Sequence, residues 1–413
     1  MTPAGVAAAA ASAASGPEPH TRHWHRGVVQ EVAPPGRLDL GPGYLEPALL
    51  PVAELHRAGA RALAEYGAAA LSYGEDQGAL PLREPLAERA ARLDGVPCGP
   101  EHVLLTAGTS QALQLIATVL ARPGDVVLLD EQSYDLAQLL FTDCGLALHR
   151  LAADGLGTSA VALDKAVAGL RRAGRRPAFL YLTPTHQNPT GRTVPLSRRE
   201  ELLAVAAAHR LPVVEDDAYA ELTLDGPPPP PSMAALAGYR GVLRLRTFSK
   251  TLAPGLRLGW LLGDPELVER LVSHGLFVSG GAVNHTTSLT VATLLRDGGF
   301  DRRLAELRAG LRLRRDALAE ALGIAGSRRG ERPWRCRVPG GGYFLWLSFP
   351  HGPSDHRIAA LADAAGVRIA RGSRFGPTGA PSVRLAFSFN PPDRLAEAGE
   401  RLATGWLSLT RSR

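Results

Sequence analysis

From about residue 100 the chain alternates short apolar runs with longer stretches in which apolar positions recur every three or four residues. The runs Val103–Thr106, Asp125–Leu129, Ala147–Leu151, Phe179–Thr183, Pro212–Glu215, Val242–Thr247 and Leu258–Leu262 read as strands. Most are separated by helix-length segments, which predicts βαβ units and a mainly parallel sheet. The last two are joined too tightly for a helical crossover, so one of them is expected to run antiparallel. Upstream, Leu55, Ala58 and Leu63 recur with helical spacing and predict a helix from about Pro51 to Ala69. An Arg- and Leu-rich pattern predicts another from about Val291 to Leu322. Tyr343–Leu347, Val367–Ala370 and Val383–Phe387 read as strands of a smaller C-terminal part. The run Pro227–Pro231 suits neither a helix nor a central strand and reads as a surface loop.

Composition narrows the class. The 413 residues are 45% hydrophobic and 21% charged, which describes a mostly globular chain long enough for one large and one small domain. Residues 1–19 are mainly Ala, Ser, Gly and Pro and read as a disordered tail, with no secretory leader. The excess of +6 comes from scattered arginines, not from a basic stripe interleaved with aromatics, so no nucleic-acid partner is expected. No apolar run is long enough to span a membrane. Cys98, Cys144 and Cys336 are far apart and odd in number, which suits a reducing cytoplasm and offers neither a disulfide framework nor zinc spacing. The cluster His20, Arg22, His23, Trp24, His25, Arg26 reads as solvated, and no metal is expected.

The cations carry the sharpest signal. Of 46 basic residues only Lys165 and Lys250 are lysine, and the rest are arginine. Arginine stays protonated, whereas a lysine can lose its proton and form a Schiff base. Lys165 sits on a polar position of the Ala-rich helical stretch Ser159–Leu170 and reads as a surface residue. Lys250 follows a strand-like run and is wedged between Ser249 and Thr251. Around it, Thr247-Phe-Ser-Lys-Thr-Leu-Ala-Pro-Gly-Leu-Arg257 resembles the lysine motif of the class I/II, fold-type-I aminotransferases, which depend on pyridoxal phosphate (PLP). Further motifs in the family's order extend the resemblance from about Leu38 to Phe387. The 2-aminoadipate and multi-substrate branch is the most similar.

The resemblance implies an α/β fold with a seven-stranded, mainly parallel sheet between helices and a smaller α/β domain. It divides the chain into a tail (1–19), an N-terminal segment on the small-domain side (20–50), a large PLP-binding domain (51–290) and a small domain (291–413). It implies a homodimer with shared active sites.

It also assigns roles. Lys250 forms the internal aldimine. The phosphate cradle starts at Thr106-Ala-Gly-Thr-Ser-Gln111, where a strand turns into a helix whose N-terminus suits an anion. Gly108, Ser110 and Gln111 carry over, and Thr247, Ser249 and Arg257 complete the cradle. As bare sequence, small residues cap many helices. Asp216, at the end of a strand, faces the pyridine nitrogen and makes the ring an electron sink. The family's Asp-x-x-Tyr spacing selects it over Glu215 and Asp217. Tyr219 and Asn188, the latter in Thr183-Pro-Thr-His-Gln-Asn-Pro-Thr-Gly191, meet the ring hydroxyl. Tyr134 stacks on the ring face. Tyr73 reaches the phosphate of the neighbouring subunit. Arg384 clamps the substrate carboxylate with its planar fork.

The expected activity is transfer of an amino group from an amino acid to a 2-oxo acid. A PLP-dependent lyase or synthase is the alternative. A PLP-binding regulator domain ranks below both, because fewer than 50 residues precede the resemblance. His186 has no assigned role. Asn284 and His285 divide between substrate contact and packing. Arg22, Arg26 and Arg37 are all eligible to meet a distal carboxylate, and spacing does not choose among them.

Overall fold

A computed structural model describes residues 36–324, 332–407 and 409. The tail at 1–19, the His20–Arg26 cluster, and with it Arg22 and Arg26, lie outside the described residues.

Seven strands form the main sheet: β1 Val103–Thr106, β2 Val126–Asp130, β3 Ala147–Leu151, β4 Pro177–Leu182, β5 Val213–Asp216, β6 Val242–Thr247 and β7 Gly259–Leu262. Their spatial order is β1-β7-β6-β5-β4-β2-β3. Every strand except the edge strand β3 is buried along its whole length. Continuous apolar runs are what a sheet covered by helices on both faces requires. Each predicted strand is present, with ends moved by two residues at most.

The antiparallel member is β7, which opposes both β6 and β1. This reversal positions the site. β1, β6 and the other parallel strands end at one edge of the sheet, and β7 begins there. Gly259 sits opposite both Thr106 and Thr247. A Cβ on Gly259 would lie 2.8 Å from the Arg246 carbonyl oxygen and 2.9 Å from Gly108 Cα. Only glycine allows that approach.

A smaller antiparallel sheet contains β8 Phe344–Ser348, β9 Ala370–Arg371 and β10 Ser382–Ala386, with β10 central. The predicted strand Val367–Ala370 is broken: Val367–Arg368 pairs instead with Leu38–Asp39. The Ala386 amide donates to the Leu40 carbonyl, so residues 38–40 are tied to the small sheet.

The helix predicted over Val291–Leu322 is two helices, His285–Arg296 and Gly299–Ala321. Gly298, at φ 65°, turns the chain between them. The boundary expected at 290/291 therefore falls inside the first helix. Helix Val52–Tyr66 packs against the first, and Pro392–Leu407 against the second. The prolines 227–231 lie in the loop before the short helix Met233–Leu236. No helix among the described residues is long and apolar enough to cross a membrane.

Candidate active site

The carboxyl ends of the parallel strands deliver the candidate residues, as expected for an open α/β sheet. Lys250 follows β6 by three residues and is partly buried. Its Nζ donates to the Gly43 carbonyl at 2.8 Å and lies 5.6 to 6.0 Å from the rings of Tyr44, Tyr343 and Tyr219. Tyr343 Oη donates to the Lys250 carbonyl at 2.5 Å, fixing its backbone. Burial lowers the Lys250 pKa from 10.5 to about 8; Arg384 and Arg257 push the same way, and Asp216 opposes them.

Asp216 ends β5. Its Oδ2 accepts from Tyr181 Oη at 2.7 Å, while Oδ1 is buried without a hydrogen-bond partner. Burial raises its pKa from 3.8 to about 6, against the Tyr181 hydrogen bond and the Lys250 charge. Its acidic neighbours are committed elsewhere. Glu215 accepts from the amides of Met233 and Ala234 at 2.9 and 3.0 Å. Asp217 pairs with buried Arg244, which also holds Asp94.

Gly108 is the N-cap of helix Thr109–Leu120, at φ 81°. A Cβ there would lie 3.2 Å from Arg257 Nη2. Arg257, itself left-handed at φ 45°, donates to the Ala107 carbonyl at 3.0 Å across the gap closed by β7. Gln111 Oε1 accepts from the Ala107 amide at 2.6 Å and so braces the turn. Thr247 Oγ1 accepts from the Ser249 amide at 3.0 Å, holding the turn before Lys250. Ser110 is exposed on the first helical turn.

Arg384, central in β10, is buried. It donates to Asn188 Oδ1 at 2.7 Å and to the Gly41 carbonyl at 2.5 Å, and its Nε has no partner. Phe344 and Phe375 flank the guanidinium, with ring centroids at 4.2 and 4.6 Å. Burial holds its pKa down at about 10. Tyr219 is buried edge-on to Tyr343 and Phe344. Tyr134 precedes helix Asp135–Asp143, where it feels the charges of Asp216 and Arg384. Tyr73 stands apart, 89% exposed, beside exposed Leu71 and against Gly280.

Other candidates are occupied. His186 is buried at φ 48°, with Nε2 3.0 Å from Thr223 Oγ1 and a pKa lowered by burial to about 4. It packs beneath Gly341. Asn284 donates to the Arg257 carbonyl, and His285 Nε2 lies 3.2 Å from the Ala69 carbonyl. Arg37 pairs with Asp363 at 2.7 Å. Sequence reasoning missed Tyr44, Tyr181, the role of Tyr343, and the Arg374–Asp135 ion pair, whose charges reach Tyr44 and Arg384. Among the described residues no group of three or more His, Cys, Asp or Glu is placed to hold a metal, and the three cysteines are free.

The arrangement fits PLP. An amine of lowered basicity lies near an orphaned carboxylate oxygen, a guanidinium with a spare donor, and a helix N-terminus closed by Arg257.

Comparison with known proteins agrees. The family model for aminotransferase class I and II matches residues 43–402. A 2-aminoadipate transaminase of Thermus thermophilus is 37% identical over 376 residues, 89% of each chain. The crystal structure of LysN, an alpha-aminoadipate aminotransferase of Thermus thermophilus complexed with N-(5'-phosphopyridoxyl)-L-leucine, superposes with TM-score 0.78 at 34% identity. It covers 91% of this chain and 94% of that one. An uncharacterized HTH-type transcriptional regulator of Bacillus subtilis, YdfD, is 32% identical over 78% of this chain and 64% of its own length. The chain belongs to the aminotransferase class I and II family and is a PLP-dependent aminotransferase acting on amino acids and 2-oxo acids.

Proposed function

We propose that Lys250 is the catalytic amine and that the residues gathered around it divide the work of amino-group transfer. The observation that carries this reading is the convergence of Lys250, Asp216 and Arg257 at the carboxyl end of the main sheet, where Arg384 reaches them from the small sheet through Asn188, close enough for each of the other three to perturb the lysine. When bound, PLP supplies an electrophilic carbon for amines and an electron sink for the charge left when Cα loses its proton.

With a pKa near 8, Lys250 spends a substantial fraction of its time neutral at physiological pH, as a nucleophile and a base must. Its Nζ would take the proton from the substrate Cα and hold it for return. Asp216 offers Oδ1 to the ring nitrogen. Asn188 spends its Oδ1 on Arg384, which leaves its amide nitrogen to donate to the ring hydroxyl oxygen beside Tyr219. Tyr134 covers one ring face. Gly108, Ser110 and the amides of the helix start hold the phosphate with Ser249 and Arg257, while Gln111 and Thr247 brace the two turns. Arg384 receives the substrate carboxylate: a buried cation with an unpaired Nε gains an anion there.

Tyr73 belongs to a second copy's site in this reading. Its ring is exposed close in sequence to exposed Leu71 and lies against Gly280, a surface suited to burial in a homodimer. The dimer works in the cytoplasm, where its free cysteines stay reduced.

The test adds single amino acids to PLP-loaded protein without any 2-oxo acid. Stoichiometric release of the matching 2-oxo acid is expected and identifies the donor. Release of ammonia or of a side-chain fragment instead would overturn the reading, and binding to a promoter fragment without turnover would favour a regulator like YdfD.

A further inference from the structure

Asp216 is held by one oxygen only. Tyr181 Oη donates to Oδ2 at 2.7 Å, and Oδ1 has no partner although it is buried. Tyr181 lies in β4, opposite Val214 of the parallel neighbour β5. Its ring is fully buried and edge-on to Phe141, with centroids 5.3 Å apart. Pairing of β4 with a strand on each side, Tyr181 opposite Leu129 and Val214, fixes the backbone that carries the hydroxyl, so its place does not depend on any one packing neighbour. The terminal torsion of an aspartate is otherwise broad. Facing a carboxylate, which only accepts, the hydroxyl can only donate. The outcome is a carboxylate with one oxygen tied and the other waiting for a donor, an arrangement costly to leave unmet.

We propose that Tyr181 is a positioning residue for the cofactor: by occupying Oδ2 of Asp216 its hydroxyl leaves Oδ1 as the one acceptor open to the ring nitrogen. This rests on the role given to Asp216 above. In this role Tyr181 acts through the carboxylate it holds. The groups facing Asp216 are few. Burial lifts its pKa to about 6, Tyr181 is the leading influence against that, Asp217 adds a like charge, and Lys250 and the Ala218 amide favour the anion. Tyr134 and Tyr219 feel the same carboxylate from the remaining sides.

The experiment titrates the cofactor-free full-length protein with PLP, following quenching of its fluorescence between about pH 5 and pH 9, in wild type, Tyr181→Phe, Phe141→Leu and Asp216→Asn. Ionisation of the PLP phosphate is common to all four. Removing the donor to Oδ2 disfavours the charged carboxyl, so its pKa rises and protonation begins at higher pH. Wild-type affinity is expected to fall as pH drops through about 6. In Tyr181→Phe the midpoint moves up by on the order of one pH unit, and affinity at pH 7.5 drops about tenfold. Phe141→Leu keeps the hydroxyl and keeps the midpoint, while Asp216→Asn loses the carboxyl-dependent part of the profile. A Tyr181→Phe profile superposed on wild type, or an equal shift in Phe141→Leu, overturns the proposal alone. Failure of the wild type to bind PLP overturns it together with the reading on which it rests.

Discussion

Replacing Asp216 by Asn should make the cofactor-free protein more stable while removing its ability to use PLP. The carboxyl is buried at the end of β5, and burial raises its pKa from 3.8 to about 6. A group whose pKa is raised by folding contributes favourably below its unfolded value and loses that contribution as pH climbs through the folded value. Each pH unit corresponds to about 1.4 kcal/mol, so holding the anion in the empty site costs roughly 3 kcal/mol at neutral pH. Asparagine carries no charge and its side-chain oxygen still accepts from Tyr181 Oη. Its amide then takes the place of the unpartnered Oδ1, and an unpaired amide returns part of the gain. A net stabilisation of about 1 to 2 kcal/mol is expected at pH 7.5.

The assay is urea unfolding of both apo-proteins at one protein concentration, so that any subunit association contributes equally. The variant should unfold at higher urea at pH 7.5, and the gap should narrow steadily between pH 7.5 and pH 4, as pH falls through the folded value of about 6 to the unfolded value of 3.8. Fluorescence titration should show PLP affinity lost in the same variant. An Asp216→Asn protein that is less stable at pH 7.5, or a gap that ignores pH, would refute the reasoning about the buried anion.

Three further outcomes follow from the geometry. Lys250→Arg keeps a cation that cannot become neutral, so borohydride treatment should fix PLP covalently at position 250 in the wild type and not in the variant, with Lys165 as the common background, as peptide mass spectrometry reports. Arg384→Lys loses the planar fork between Phe344 and Phe375 and the bond to Asn188, and KM for the amino acid should rise roughly 10- to 100-fold in steady-state kinetics, with unfolding little changed. Glu221 is buried between Arg89 and Arg246, at 2.5 and 2.6 Å, so Glu221→Ala should cost about 3 to 5 kcal/mol by leaving two guanidiniums without their shared counter-ion; a shift of the urea midpoint by much less would contradict this.

The sheet was legible because each of its strands is short, apolar and bounded by turn residues. The antiparallel β7 was legible because too few residues separate it from β6. The break at Gly298 was not, although Asp297-Gly298-Gly299 is a recognisable stop signal: Leu and Arg continue the same period on both sides and mask it. In the site, Lys250, Asp216, Asn188 and Arg384 lie in local motifs, so a linear reading reaches them. Tyr181 sits inside an uninterrupted buried strand, where an aromatic reads as core, and its polar end matters only because a strand 35 residues on ends beside it. Tyr44 and Gly43 reach Lys250 across more than 200 residues of chain, and Arg374 meets Asp135 across 239, distances over which no periodicity carries information.

The near absence of lysine has a practical side. Reagents that acylate amines meet only two side chains in the whole molecule. Lys165 is exposed on helix Ala160–Arg172, on a face open to solvent, whereas Lys250 is partly shielded beneath three tyrosine rings. The first serves as an internal tally of reagent delivered, and the second as a gauge of the site. With Lys250 in its proposed role, the ratio of the two tags, read from one digest, would report the fraction of molecules whose site is filled, with no introduced cysteine, no dye and no substrate.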